Sequence, residues 1–160
     1  MQRINIVCFG KLKEAFWRDA VAEYSKRLNA FCKLTITEIN EEPLSQKPSD
    51  REIEQALEAE ADIAMKHIPE RSYVFALCVE GTQMTSEELS AKLDNIGVSG
   101  AGDVTFLIGS SYGLSKRLKA RADCRISFSK MTFPHQLMRV ILTEQIYRAY
   151  TISTGKSYHK

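Results

Sequence analysis

The sequence predicts an α/β fold, a parallel sheet covered by helices on both faces. Three observations carry this expectation. Segments of strand and helix character alternate along the whole chain. The central strand candidates, SYVFALCV at 72–79 and VTFLI at 104–108, are apolar on both faces, as strands buried from two sides are. The chain has 160 residues without internal repeat or low-complexity tract, a length that one domain with a sizeable core accounts for. A single domain spanning 1–160 is therefore expected.

The elements follow in order. RINIVCF at 3–9 is a short β-rich run closed by Gly10. From Glu14 to Ala30, the apolar residues Phe16, Trp17, Ala20, Val21, Tyr24 and Leu28 recur at helical spacing. KLTITEI at 33–39 alternates strictly, which suits a half-exposed strand near a sheet edge. Two prolines make 41–49 a loop, and Asp50 offers an N-cap for an acidic helix reaching His67. The apolar strand 72–79 meets Glu80-Gly81-Thr82, and Thr85 or Ser86 caps a helix ending near Gly97. Strand 104–108 stops at Gly109, a basic helix covers 115–121, a last strand covers 124–128, and a long helix runs from Phe133 to Ile152.

Composition narrows the function. Apolar residues make up 44% and charged residues 26%, as in soluble globular proteins. No apolar run approaches the roughly 20 residues that span a bilayer, and the N-terminus lacks the pattern of a signal peptide. A cytosolic location without membrane attachment is expected. Cys8, Cys32, Cys78 and Cys124 form no CxxC pair and sit in or beside apolar runs, which favours buried reduced thiols over disulfides or a metal site. Charge is uneven. Residues 1–110 hold 12 Lys/Arg against 18 Asp/Glu, and residues 111–160 hold 10 against 2. A basic C-terminal third suits a polyanion such as RNA, unless acids of the first part neutralise it across the fold.

In parallel α/β sheets ligands bind beyond the carboxyl ends of the strands, which directs attention to the ends at 77–81, 109–113 and 128–133. IGSSYGL is neither a GxGxxG fingerprint nor a P-loop, and a plain strand-to-helix turn could look the same. In SFSKMTFPH, Pro134 suits the first helical position and Thr132 or Phe133 the cap, so the preceding loop could present backbone groups to a small polar ligand. On the last helix, Leu137, Ile141, Leu142 and Ile146 form an apolar stripe suited to core or subunit interface. His135 and Arg139 are spaced i, i+4 and could converge on one ligand, while Glu144 and Arg148 suit an ion pair. The terminal Tyr158-His159-Lys160 suggests a docked end rather than a frayed one.

The segments FLIGSSYGLS, SFSKMTFPHQLMRVILTEQIYRAYTI and YHK closely resemble the RlmH family, minimal SPOUT-class methyltransferases of 23S ribosomal RNA, and the resemblance extends over essentially the whole chain. It implies a SPOUT-type sheet with a C-terminal trefoil knot, which periodicity alone would never suggest. It implies transfer of a methyl group from S-adenosyl-L-methionine to N3 of a pseudouridine in a hairpin loop of 23S rRNA, on the assembled ribosome, by a homodimer that needs no metal. Carried over, the cofactor residues are Leu77, Gly109, Phe128, Ser129, Lys130, Met131, Thr132 and Phe133. The candidate catalytic residues are His135, Arg139, Tyr158 and His159, with the terminal pair favoured near the target base and the proton acceptor left open. The family usually has Gly-Gly where this chain has Gly109-Ser110. A non-catalytic ribosome-binding factor and an enzyme acting on tRNA are the alternatives. Intact Gly109, the 127–135 loop and the YHK end weigh against the first, and the lack of an extra RNA-binding segment weighs against the second.

Overall fold

The computed structural model describes residues 1–160. Its strands are β1 (Gln2–Phe9), β2 (Cys32–Ile39), β3 (Tyr73–Gln83), β4 (Asp103–Ile108) and β5 (Cys124–Ser127). They form one sheet in the order β2-β1-β4-β3-β5, every neighbouring pair parallel. The helices are α1 (Ala15–Leu28), α2 (Asp50–Ala64), α3 (Ser86–Val98), α4 (Lys116–Arg121) and α5 (His135–Ser153). The alternating strand 33–39 lies at an edge, as its pattern requires.

The two-residue period of the strands sorts side chains between two cores. Ile4, Ile6 and Cys8 of β1 join Phe75, Val104, Phe106 and Ile108 under Leu28, Leu89, Leu93, Leu142 and Ile146, so α1, α3 and α5 cover one face. Val7 and Phe9 join Val74, Ala76 and Leu107 under Ala61, Ala64 and Leu118, so α2 and α4 cover the other. Cys8 and Cys32 are buried free thiols, and Cys78 and Cys124 are half-buried and unpaired. Burial pushes both Cys8 and Cys32 up to about 11, which keeps them protonated.

Several boundaries differ from expectation, each for a local reason. Ser49, not Asp50, caps α2: its hydroxyl accepts from the Glu52 N–H while the Glu52 carboxylate accepts from the Ser49 N–H. The α-helix ends at Ala64, and a single 3-10 turn (Met65–His67) completes the expected span. Thr85 caps α3 with Glu88 in the same reciprocal way. Pro134 occupies the N-cap of α5 rather than its first turn, and neither Thr132 nor Phe133 supplies a capping side chain.

The largest difference is β3, which continues through Gly81 to Gln83, beyond the expected end at Val79. Beyond Leu77 its register against β5 shifts, and Thr82 and Gln83 pair with Ile126 and Ser127. Only glycine allows this crossing. A Cβ at Gly81 would lie 2.7 Å from the Ile126 carbonyl carbon and 2.8 Å from that of Arg125. Such an approach of chain to chain is consistent with the threaded path expected of a SPOUT knot. Gly81→Ala is expected to cost about 1–3 kcal/mol of stability. Thermal unfolding would show a lowered midpoint, and an unchanged one would remove the crossing from the stability balance.

Candidate functional site

Three chain segments meet beyond the carboxyl ends of β3, β4 and β5, and they enclose a cavity of about 660 Å³. The walls are residues 77–80, residues 108–114, and residues 126–129 with 131–135; Lys119 and Met138 close the rim. The volume lies within the range of small-molecule sites. Its floor is apolar (Leu77, Ile108, Ile126, Phe128), and glycine backbone forms part of one wall.

Local hydrogen bonds hold the walls. Gly113 N–H donates to the Ser110 carbonyl at 2.8 Å, making a tight turn whose last residue has φ +84°. Gly109 passes so close to this turn that a Cβ would stand 2.4 Å from the Gly113 carbonyl carbon. In the last loop, Ser127 Oγ donates to the Ser129 carbonyl and Ser129 Oγ accepts from the Met131 N–H, both at 2.9 Å. α5 begins at the cavity wall without a side-chain cap, so its first-turn N–H groups have no capping partner there.

Seven of the eight expected cofactor residues line this one cavity: Leu77, Gly109, Phe128, Ser129, Met131, Thr132 and Phe133. Lys130 is the exception; it is exposed and outside the lining. Beyond the expected cofactor residues the cavity takes in Cys78 and Val79, together with Lys119, Pro134 and Met138. The first two lie in the strand end at 77–81 that the sequence already marks; Lys119 and Met138 arrive by tertiary folding.

The expected convergence of His135 and Arg139 does not occur. His135 lines the cavity, with Nε2 at 3.8 Å from Glu41 Oε1. Arg139 is 1% exposed and lies under the sheet end. Its Nη1 donates to Glu38 Oε2 at 2.6 Å, and its Nη2 donates to the carbonyls of Phe9 and Gly10 at 3.3 and 3.0 Å. The i, i+4 spacing does put both side chains on one face. The difference is reach: the guanidinium fork extends to strand-end carbonyls that the sheet leaves unpaired, and it stays there. Arg139 therefore clamps α5 to β1 and β2.

The tail is docked, but elsewhere. Tyr158 Oη donates to Glu144 Oε1 at 3.2 Å, and its ring meets that of Tyr147 edge-on at 4.8 Å. Burial, with the Tyr24 hydroxyl and the Glu144 carboxylate adding to it, pushes Tyr158 up to about 12, so near neutrality it is a donor and not a base. A guanidinium only donates, so Arg148 Nη1 gives its hydrogen to His159 Nδ1 at 3.1 Å, and the ring's Nε2–H points to Glu87 Oε1 at 2.7 Å. Both nitrogens of His159 are engaged. At 1.5 Å per residue, Arg148 stands roughly 20 Å along α5 from His135. One chain thus holds two separate clusters, with His135 at the cavity and Tyr158 and His159 far down the helix. The expected Glu144–Arg148 ion pair is present, with Arg148 Nε donating to Glu144 Oε1 at 3.0 Å.

Five of the ten cations of the basic C-terminal third are paired, three of them with acids of the first part. Arg117 pairs with Glu58 and Asp62, Lys119 with Glu80, Arg121 with Asp123, Arg139 with Glu38 and Arg148 with Glu144. Acidic α2 lies beside basic α4 and meets it through Arg117. Exposed cations outside ion pairs remain at Lys116, Arg125, Lys130, Lys156 and Lys160. No helix is long and apolar enough to cross a membrane, and no cluster of three or more His, Cys, Asp or Glu side chains suits a metal ion.

On α2, Glu60 is 3% exposed behind the 110–113 turn. Its Oε2 accepts from the Glu42 N–H at 3.0 Å, and its Oε1 accepts from Ser110 Oγ at 2.9 Å. Burial holds its carboxyl above the usual carboxylate range, against the opposing effect of those two bonds. A raised value means that the fold binds this proton more tightly than the unfolded chain does. The group's contribution to stability is thus full below the ordinary carboxylate pKa and is lost as pH rises through the raised value. Glu60→Gln is expected to remove that loss, so in a pH series rising from the ordinary carboxylate range its melting temperature should gain on the wild type's. Parallel melting curves across that series would exclude Glu60 ionisation from the balance.

Comparisons with known proteins complete the picture. A family model described as "Predicted SPOUT methyltransferase" matches residues 2–159. The chain is 49% identical over 158 residues to "Ribosomal RNA large subunit methyltransferase H" of Bifidobacterium adolescentis, covering 99% of each chain. It is 46% identical over 158 residues to the protein of that name from Streptococcus equi subsp. zooepidemicus, again covering 99% of each. Among solved structures, a probable methylase family protein from Haemophilus influenzae Rd KW20 superposes with a TM-score of 0.53 at 15% identity, over 98% of this chain and 70% of that one, a likeness of fold.

Proposed function

The chain belongs to the SPOUT methyltransferase family, and from that premise we propose that it transfers a methyl group from S-adenosyl-L-methionine to N3 of a pseudouridine in a hairpin loop of 23S rRNA. The observation that carries the reading is the cavity at the strand ends, lined by seven expected cofactor residues together with His135. The residues present fit such a donor. Leu77, Ile108 and Phe128 offer an apolar bed for a flat ring, and the backbone of residues 109–113 and 127–133 offers hydrogen-bonding groups to its edge. When bound, the donor supplies a methyl group activated on a sulfonium.

The chain's own residues must do the rest. As the methyl group arrives, the N3–H proton has to leave. His135 is the imidazole at the cavity, so it is the group we assign to accept that proton or to steady the developing imidate. Arg139 fixes the start of α5, and so acts through His135 rather than on the base.

Tyr158 and His159 stand too far from their own chain's cavity to share in its chemistry, and we assign them to the cavity of a second copy. Apolar surface supports a dimer: Leu137 and Ile141 are half-buried on α5 yet belong to neither core. Phosphate contact falls to the exposed cations Lys116, Arg125, Lys130, Lys156 and Lys160, and it should weaken as salt rises. A pseudouridine in a loop is less costly to expose than a paired base. The proposed setting is the cytoplasm, on the assembled ribosome.

Labelled methyl transfer to ribosomes, free subunits and tRNA, followed by mapping of the modified nucleotide, tests this. Incorporation at one pseudouridine of large-subunit RNA is expected. No incorporation into any substrate, together with no calorimetric binding of S-adenosylmethionine, would overturn it, and incorporation into tRNA alone would transfer the activity to a different RNA.

A further inference from the structure

We infer that Glu60, outside the cavity, is a positioning residue for the methyl donor: through the Ser110 hydroxyl it holds the 109–113 wall in its binding shape. The inference rests on the donor reading above. Few hydrogen bonds fix the wall's turn, although Leu114 anchors its far end in the core. Between the end of β4 and the start of α4, the turn is closed by the Gly113 N–H to Ser110 carbonyl bond, an isolated bridge between the same two residues and a long 3.5 Å contact from Ser110 Oγ to the Gly113 carbonyl. The Ser110 side chain extends this turn outward to a buried carboxylate.

That carboxylate is itself anchored twice. It projects from α2, a 15-residue helix with a complete capping box, and its second oxygen holds the Glu42 N–H. The neighbouring Glu41 faces His135. Glu60 thus ties the donor wall and the segment facing the cavity imidazole to one rigid helix. A glycine at position 110 could not make this bond. Removing one partner leaves a buried polar group unpaired, and that favours displacement of the turn.

The two side chains predict a distinctive pattern. A hydroxyl can donate or accept, so a glutamine at 60 could accept from Glu42 N–H through its oxygen and donate to Ser110 Oγ through its nitrogen. Titration calorimetry with S-adenosylmethionine on the intact protein tests this, alongside circular dichroism to show that each variant is folded. Ser110→Ala and Glu60→Ala are each expected to weaken binding about tenfold. Glu60→Gln should stay within about twofold of wild type, and the double alanine variant should be no weaker than the weaker single one.

If Glu60→Ala does not fold, Ser110→Ala and Glu60→Gln carry the comparison. Unchanged affinity in Ser110→Ala, even with a lowered melting temperature, would overturn the role. So would a Glu60→Gln variant that binds as poorly as Ser110→Ala, or losses that multiply in the double variant. A wild-type protein that fails to bind S-adenosylmethionine would overturn the donor reading itself, whereas wild-type binding with an unaffected Ser110→Ala overturns only the part played by Glu60.

Discussion

Deleting residues 158–160 is expected to lower methyl transfer by roughly a hundredfold or more, a loss typical of a missing acid–base or positioning group, while S-adenosylmethionine affinity stays within a few fold. The separation of the two clusters requires this split. Tyr158 and His159 bond to Glu144, Arg148 and Glu87 on α5 and α3, and none of these residues lines the cavity. Transfer of labelled methyl to ribosomes and calorimetric donor binding give the two readings. Activity that survives the deletion would remove the tail from the site.

Mixed dimers sharpen the result. A deleted chain with an intact cavity would be paired with a chain that has its tail but a ruined cavity. Transfer restored in the mixture means that one chain's tail serves the other chain's cavity. A mixture as inactive as its components would overturn the shared arrangement.

Gly109→Ala supplies the ruined cavity and is the second large effect. A Cβ there would stand 2.4 Å from the Gly113 carbonyl carbon, 2.6 Å from its oxygen and 2.8 Å from its Cα. All three are backbone atoms, so no side chain can swing aside. The 110–113 turn must move, and with it one wall of the cavity. Donor affinity is expected to fall at least about a hundredfold, a figure that a wall displacement costing about 3 kcal/mol would produce. Binding within a few fold of wild type would mean that this cavity does not hold the donor.

Much of the architecture was legible in the residues. The apolar run at 104–108 became a strand buried from both faces, the run at 72–79 became one buried at Val74–Ala76, and the alternating run at 33–39 became an edge. Gly109 and the 128–133 loop stood out because ligands gather at strand ends. Element boundaries were less legible. Glu80-Gly81-Thr82 has the composition of a turn, yet it is strand, because the opposing β5 backbone needs a position without a side chain.

The sequence by itself determined the alternation of elements, the sorting of side chains between two cores and the segments whose chemistry makes a site. These follow from local spacing, which periodicity records directly. Tertiary structure alone decided what each charged side chain meets. Spacing placed His135 and Arg139 on one face, but only the fold put Glu38 and the strand-end carbonyls within reach of Arg139, across 101 and about 130 positions of chain. It alone set Arg117 of α4 against Glu58 and Asp62 of α2, and it bound His159 to Arg148 and Glu87 away from the cavity. The physical reason is common to all three. A charge interacts with whatever lies across space from it, and no local pattern in the chain encodes that partner.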